Sequence, residues 1–117
     1  IGNSEISNLI EVSDMSERIQ VMLKMSEGFI VLPGGFGTFE EFFEILSWSQ
    51  MGLHKKPIGL LNINGFFDPL ENLLDGCIQS GFAPKENKNL FIIEKDPESL
   101  IKKMKDFRHT MPNKYVN

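Results

Sequence analysis

The stretch Leu32-Pro33-Gly34-Gly35-Phe36-Gly37-Thr38-Phe39-Glu40-Glu41 follows a short apolar run, Phe29-Ile30-Val31-Leu32, and leads into a segment with helical spacing of its apolar residues. Such a run suits an interior strand of a parallel sheet, buried on both faces. Glycines between strand and helix let backbone N–H groups approach a bound anion. The helix that follows points its positive dipole end and its unpaired N–H groups at the same place. A nucleotide phosphate fits such a cradle, and Glu40 and Glu41 set two carboxylates beside it. A plainer use of these residues stays open: the glycines make a tight turn, Thr38 is the helix N-cap, and Thr38 with Glu41 forms a T-x-x-E capping box. Capping requires neither three glycines nor a second acid, which favours the phosphate-binding reading. The spacing G-G-x-G-T is not the G-x-G-x-x-G dinucleotide fingerprint.

On either side, strand and helix patterns alternate. Residues 9–12 form a strand candidate, followed by a helix over 14–26 with Asp14 as cap and Glu17 as its third-position acid. Strand 29–32 leads to a helix over 38 to about 51. Residues 57–62 make a third strand, and Asp68-Pro69 caps a helix to about Ser80 that Gly81 closes. Residues 90–94 make a fourth strand, and Asp96-Pro97 opens a last helix to about Phe107. The tail 109–117 has no periodicity and is expected to fray. Repeated strand–helix units predict a single α/β domain, a parallel sheet with helices on both faces. Ligands of such sheets sit beyond the carboxyl ends of the strands, where the glycine stretch lies. Asn62-Ile63-Asn64-Gly65-Phe66-Phe67 leaves the next strand at the same end, as a second wall of the crevice or, more simply, as an Asn-Gly turn.

The 117 residues are 41% hydrophobic and 24% charged, an ordinary globular composition with room for one domain. A net charge of −4 argues against coating nucleic acid, which needs a basic surface. Cys77 is the single cysteine, so no internal disulfide forms; it is expected to pack as a small hydrophobe. No Cys/His cluster has metal-binding spacing, and no metal site is expected. No apolar run is long enough to span a membrane, and the first residues resemble neither a signal peptide nor a polybasic arm, so a cytoplasmic location is the default.

Several side chains look chemical. Arg18 falls on the face of its helix that carries Met15, Val21, Met22 and Met25; a guanidinium there either snorkels to water or meets an anion, whether Glu41, a phosphate or both. In the helix from Thr38, the residues Phe39, Phe42, Phe43 and Leu46 form a core stripe, while Glu40, Glu44 and Ser47 form a polar stripe suited to ribose hydroxyls or simply to water. Glu41 lines up with Ile45 and Trp48 and is expected to be partly desolvated. His54-Lys55-Lys56 reads as a polar loop, with His54 a subunit contact, of no special role or, least favoured, catalytic. Lys102, Lys103 and Lys105 mark the wet side of the last helix.

These residues together resemble a known family. Asp14-Met15-Ser16-Glu17-Arg18, the Pro-Gly-Gly-Phe-Gly-Thr-Phe-Glu-Glu segment, Trp48 to Pro57 and Gly59-Leu60-Leu61-Asn62 are similar to the Lonely Guy (LOG) family of cytokinin riboside 5′-monophosphate phosphoribohydrolases, often labelled lysine decarboxylase-like. The resemblance implies a Rossmann-like fold, a homodimer with its site near the interface, and hydrolysis of the N-glycosidic bond of a nucleoside 5′-monophosphate to free base and ribose 5-phosphate. It assigns catalysis to Arg18 and Glu41, and the phosphoribosyl group to Gly34, Gly35, Phe36, Gly37, Thr38, Glu40 and Ser47. No cofactor is implied. The chain departs from the family by having Ile19 where a lysine commonly follows the arginine, and by lacking the family's glycine-rich N-terminal half. It is therefore expected to be the C-terminal portion of a longer protein, without the first strands of the full fold.

Cleavage of a glycosidic bond passes through an oxocarbenium-like sugar, so a carboxylate beside the anomeric carbon both stabilises charge and activates water. Glu41 suits that role, with Arg18 orienting it or holding the phosphate. The alternative is a nucleotide-binding module without catalysis. Decarboxylation of lysine is excluded as a reading, because a pyridoxal-phosphate enzyme needs a Schiff-base lysine and none lies near the loop by sequence.

Overall fold

Three short runs of β-branched, leucine and phenylalanine side chains become three parallel strands: β1 (Phe29–Val31), β2 (Ile58–Leu61) and β3 (Phe91–Glu94). They are seen in a computed structural model that describes residues 17, 21 and 26–110. Sheet order is β1-β2-β3, with Val31 opposite Leu60 and Leu60 opposite Ile93. A helix follows each strand: α1 (Phe36–Gln50), α2 (Asp68–Gln79) and α3 (Pro97–Lys105). Short 3₁₀ turns at Ile63–Gly65 and Lys85–Leu90 lead into α2 and β3. The expected first strand (9–12), and the helix over 14–26 apart from Glu17 and Val21, both helical, and Ser26, lie outside the described residues. So do residues 111–117 of the tail.

Alternation along the strands divides the sheet into two faces. Phe29, Ile58, Leu60 and Phe91 point to one side, where they bury Phe42 and Ile45 of α1 and Leu70 of α2 together with Phe67. The Phe42 and Phe91 rings meet edge to face, with centroids 6.1 Å apart. Burial of side chains this size contributes roughly 1.5–3 kcal/mol each. On the other side, a Cβ at Gly59 would lie 2.6 Å from Met104 Sδ and 2.9 Å from Leu100 Cδ1, so α3 rests directly on the β2 backbone. Helices thus cover both faces of a parallel sheet, the Rossmann-like α/β architecture expected.

The helix ends follow the punctuation of the sequence. At the end of α1, Leu53 N–H donates to the Trp48 carbonyl and Gly52 N–H to the Ser49 carbonyl, with Gly52 at φ 76°. At the end of α2, Phe82 N–H reaches the Cys77 carbonyl and Gly81, at φ 82°, reaches that of Ile78. Both are Schellman closures, in which glycine takes the left-handed conformation at least cost. Asp96 caps α3 by accepting the Ser99 N–H at 2.9 Å. Lys88 ties the second 3₁₀ turn to α2 through Asp75 at 2.6 Å and Glu71 at 3.0 Å. Desolvation works against its charge, but these two carboxylate hydrogen bonds outweigh it and hold the Lys88 ammonium above its ordinary pKa.

Three local expectations are corrected. The helix expected to start at Thr38 starts at Phe36, with Gly35 as N-cap and no side-chain cap. The Thr38 and Phe39 N–H groups both turn to the Gly35 carbonyl, at 3.1 and 3.4 Å. The Thr38–Glu41 capping box is therefore not formed, since the backbone has already wound its first turn. Asp68 does not cap α2 but is its first residue; the preceding loop is satisfied by Asn62, whose Oδ1 accepts the Phe67 N–H at 2.7 Å and whose Nδ2 donates to Asp68 Oδ1 at 2.8 Å. Finally, His54 lies in the expected loop but not as a solvated residue. It is buried, donates from Nε2 to the Ile45 carbonyl at 2.8 Å and accepts the Lys56 N–H on Nδ1 at 3.0 Å. Phe29 meets its ring edge to face at 5.9 Å.

Candidate functional site

The carboxyl ends of β1 and β2 lie side by side, and from them leave the two loops that the sequence singled out. The first carries the glycines. Its three glycines differ in what the fold asks of them. A Cβ on Gly34 would collide with Thr38 Oγ1, so the Thr38 side chain folds back over that position. Gly35 and Gly37 face open space, and neither has positive φ. Nothing inside the described fold requires glycine at these two places; what they provide is bare backbone open to solvent at the start of a helix. The N–H groups of Phe36 and Gly37 precede the first intrahelical bond, so they face outward with the positive end of the α1 dipole. Phe36, at the tip, is 92% exposed.

Along α1 the acids follow at once. Glu40 is exposed and Glu41 half-buried, in line with Ile45 and Trp48 as the spacing predicted. Glu44 is half-buried and Ser47 exposed on the same stripe as Glu40. Ser47 stands eleven residues beyond Phe36, about 16 Å along the helix axis. There it lines a groove of about 250 Å³ between α1 and α2 with Phe43, Gln50, Cys77 and Phe82. The structure thus gathers Gly34, Gly35, Phe36, Gly37, Thr38, Glu40 and Glu41 at one end of α1 and sets Ser47 at the other. Arg18 lies outside the described residues.

The second loop makes the Asn-Gly turn expected, with Asn64 and Gly65 in the left-handed region at φ 54° and 71°, and buried Asn62 ties it to Phe67 and Asp68. Phe66 lies nearly parallel to Phe39 of α1, with centroids 6.2 Å apart and planes 12° apart, and Phe67 packs edge-on beneath at 5.0 Å. The sequence offered this loop as a second wall of the crevice, but the stacking of Phe66 on Phe39, which reads as a core residue, was not foreseen; its signal is the adjacent pair Phe66-Phe67 directly after Asn-Gly. Among the described residues, no group of three or more His, Cys, Asp or Glu side chains is arranged to hold a metal ion, and no helix is long and apolar enough to cross a membrane.

The family model described as possible lysine decarboxylase matches residues 1–104. The chain is 40% identical over 107 residues to the cytokinin riboside 5′-monophosphate phosphoribohydrolase LOG of Oryza sativa subsp. japonica, covering 92% of this chain and 44% of that protein. It is 36% identical over 107 residues to LOG1 of Arabidopsis thaliana, named for the same activity, covering 92% and 50%. The chain spans about half the length of the curated relatives it matches.

Proposed function

This chain belongs to the family described as possible lysine decarboxylase, which it shares with the LOG phosphoribohydrolases, and on that premise we propose that it supplies the phosphoribosyl-binding and acid-bearing half of a nucleoside 5′-monophosphate N-glycosyl hydrolase. The observation that carries this reading is the pair Gly35 and Gly37: backbone with open space where any residue fits, at a helix start, one to two turns ahead of Glu40 and Glu41. Amides of residues 35–37 hold the 5′-phosphate, and Glu40 takes a ribose hydroxyl. Glu41 faces the anomeric carbon, stabilises its positive charge as the bond to the base breaks, and deprotonates the water that adds there; the base departs with the bonding electrons and is protonated. Arg18 orients Glu41 or neutralises the phosphate. Binding the phosphate away from the breaking bond lets positioning lower the barrier. Lysine decarboxylation has no support in the relatives' names, which specify phosphoribohydrolases.

In this reading the protein is a cytoplasmic homodimer, and Ser47, too far along α1 to meet a group on its own loop, reaches the substrate held by the second copy. No metal or redox cofactor enters the chemistry. The test is incubation of the protein that carries this chain with AMP or isopentenyladenosine monophosphate, followed by chromatography for free base. Base release is expected, falling at least about 100-fold in Glu41→Gln and in Arg18→Ala while circular dichroism stays unchanged. Full activity in either variant removes that residue from the mechanism. Saturable nucleotide binding without base release in the unsubstituted protein makes it a binding module instead.

A further inference from the structure

Phe66 is 40% exposed although it ends a loop pinned by buried Asn62. Asn64 and Gly65 take the left-handed φ of an Asn-Gly turn, 54° and 71°, which turns the chain tightly just before Phe66. The loop leaves the carboxyl end of β2, next to the glycine loop at the end of β1. Phe39, against which the Phe66 ring lies, sits one helical turn beyond Phe36. The ring therefore stands at the same end of the sheet as the helix-start amides. Phe67 closes the inner side edge-on, leaving the outer part of Phe66 open.

We propose that Phe66, braced by Phe39, is the stacking platform for the nucleobase of the bound nucleotide, so that base selection on this wall works through π-surface contact and not through hydrogen bonds. This rests on the phosphate-loop reading above. A phosphate held at residues 35–37 fixes one end of the ligand, and the ribose carries the base towards the ring. Every base offers a π face, so a platform of this kind tolerates substituents on the base rim. Asn62 is a positioning residue: it acts by holding the loop that presents Phe66.

The experiment is calorimetric titration of the protein carrying this chain with ribose 5-phosphate and, separately, with AMP. Phe66→Ala is expected to weaken AMP binding at least tenfold and to leave ribose 5-phosphate binding within twofold. Phe66→Tyr restores AMP affinity; Phe66→Leu, which keeps apolar bulk without a π face, does not. Unchanged AMP affinity in Phe66→Ala, or full affinity in Phe66→Leu, overturns the platform while leaving the phosphate loop standing. Equal loss of both ligands, accompanied by a lower sedimentation coefficient, assigns Phe66 to subunit packing and also overturns it. Failure of the unsubstituted protein to bind ribose 5-phosphate removes the phosphate-loop reading and the platform with it.

Discussion

Both ring nitrogens of His54 meet backbone groups of fixed polarity, a carbonyl at Nε2 and an N–H at Nδ1. Only the neutral Nε2–H tautomer satisfies both, and a second proton on Nδ1 would point at the Lys56 donor. Burial is the chief force lowering its pKa below the usual 6.5; the Ile45 carbonyl works in the opposite direction, and His109 and Lys56 add to the lowering. The unfolded chain therefore binds a proton at His54 that the folded chain refuses. Stability contributed by neutral His54 is complete above pH 6.5 and declines as pH falls from there towards the lowered folded value. The melting temperature is expected to drop by a few degrees across that acid window, and His54→Gln is expected to flatten the drop. A slope that survives the substitution assigns it to other groups. Nothing in His-Lys-Lys distinguishes such a histidine from a solvated one, because what buries it is the strand-to-helix packing around Phe29 and Ile45. His109 also donates to a carbonyl near the end of α1, that of Ser49 at 2.9 Å. By contrast, Glu41 was legible: its half-buried line with Ile45 and Trp48 follows from helical spacing alone.

Each strand and helix from residue 29 to 106 was readable from period and punctuation, because Gly and Pro bound them and apolar spacing fills them. Boundaries moved where backbone chemistry, not side chains, decides. The start of α1 is the telling case, since Phe36 and Gly37 are poor helix openers by propensity, yet the Gly35 carbonyl captures the next two N–H groups. Two predictions belong to this helix. Gly35→Ala and Gly37→Ala meet no atom within 4 Å, so thermal unfolding is expected to stay within about 1 kcal/mol of the original, while ribose 5-phosphate affinity falls at least tenfold. Gly34→Ala instead is expected to cost about 1–3 kcal/mol, because Thr38 must give way. A stable Gly37→Ala protein with full ligand affinity would show that the bare backbone serves no ligand. The same legibility holds at α3, where Asp96→Ala is expected to lose about 1 kcal/mol in urea unfolding with the loss of the bond to Ser99. The aromatic wall was less legible, since Asn-Gly announces a turn but not the buried Asn62 that stiffens it.

Taken whole, the described residues form one side of a crevice and leave apolar surface elsewhere. Phe82, immediately after the closure of α2, is 87% exposed and borders the groove that holds Ser47. If two copies meet there, sedimentation equilibrium returns twice the protomer mass, and Phe82→Asp shifts it towards the monomer; a mass unchanged by that substitution places the contact elsewhere. Ile30, on β1, is 44% exposed on the side of the sheet that α3 covers over β2 and β3. There the Leu100 and Met104 side chains of α3 lie directly on the β2 backbone at Gly59. Over evolutionary time this leaves a signature: any lineage that adds a methyl at position 59 must shrink position 100 or 104 in step, so the three sites should drift as a correlated set while the surface around them varies independently.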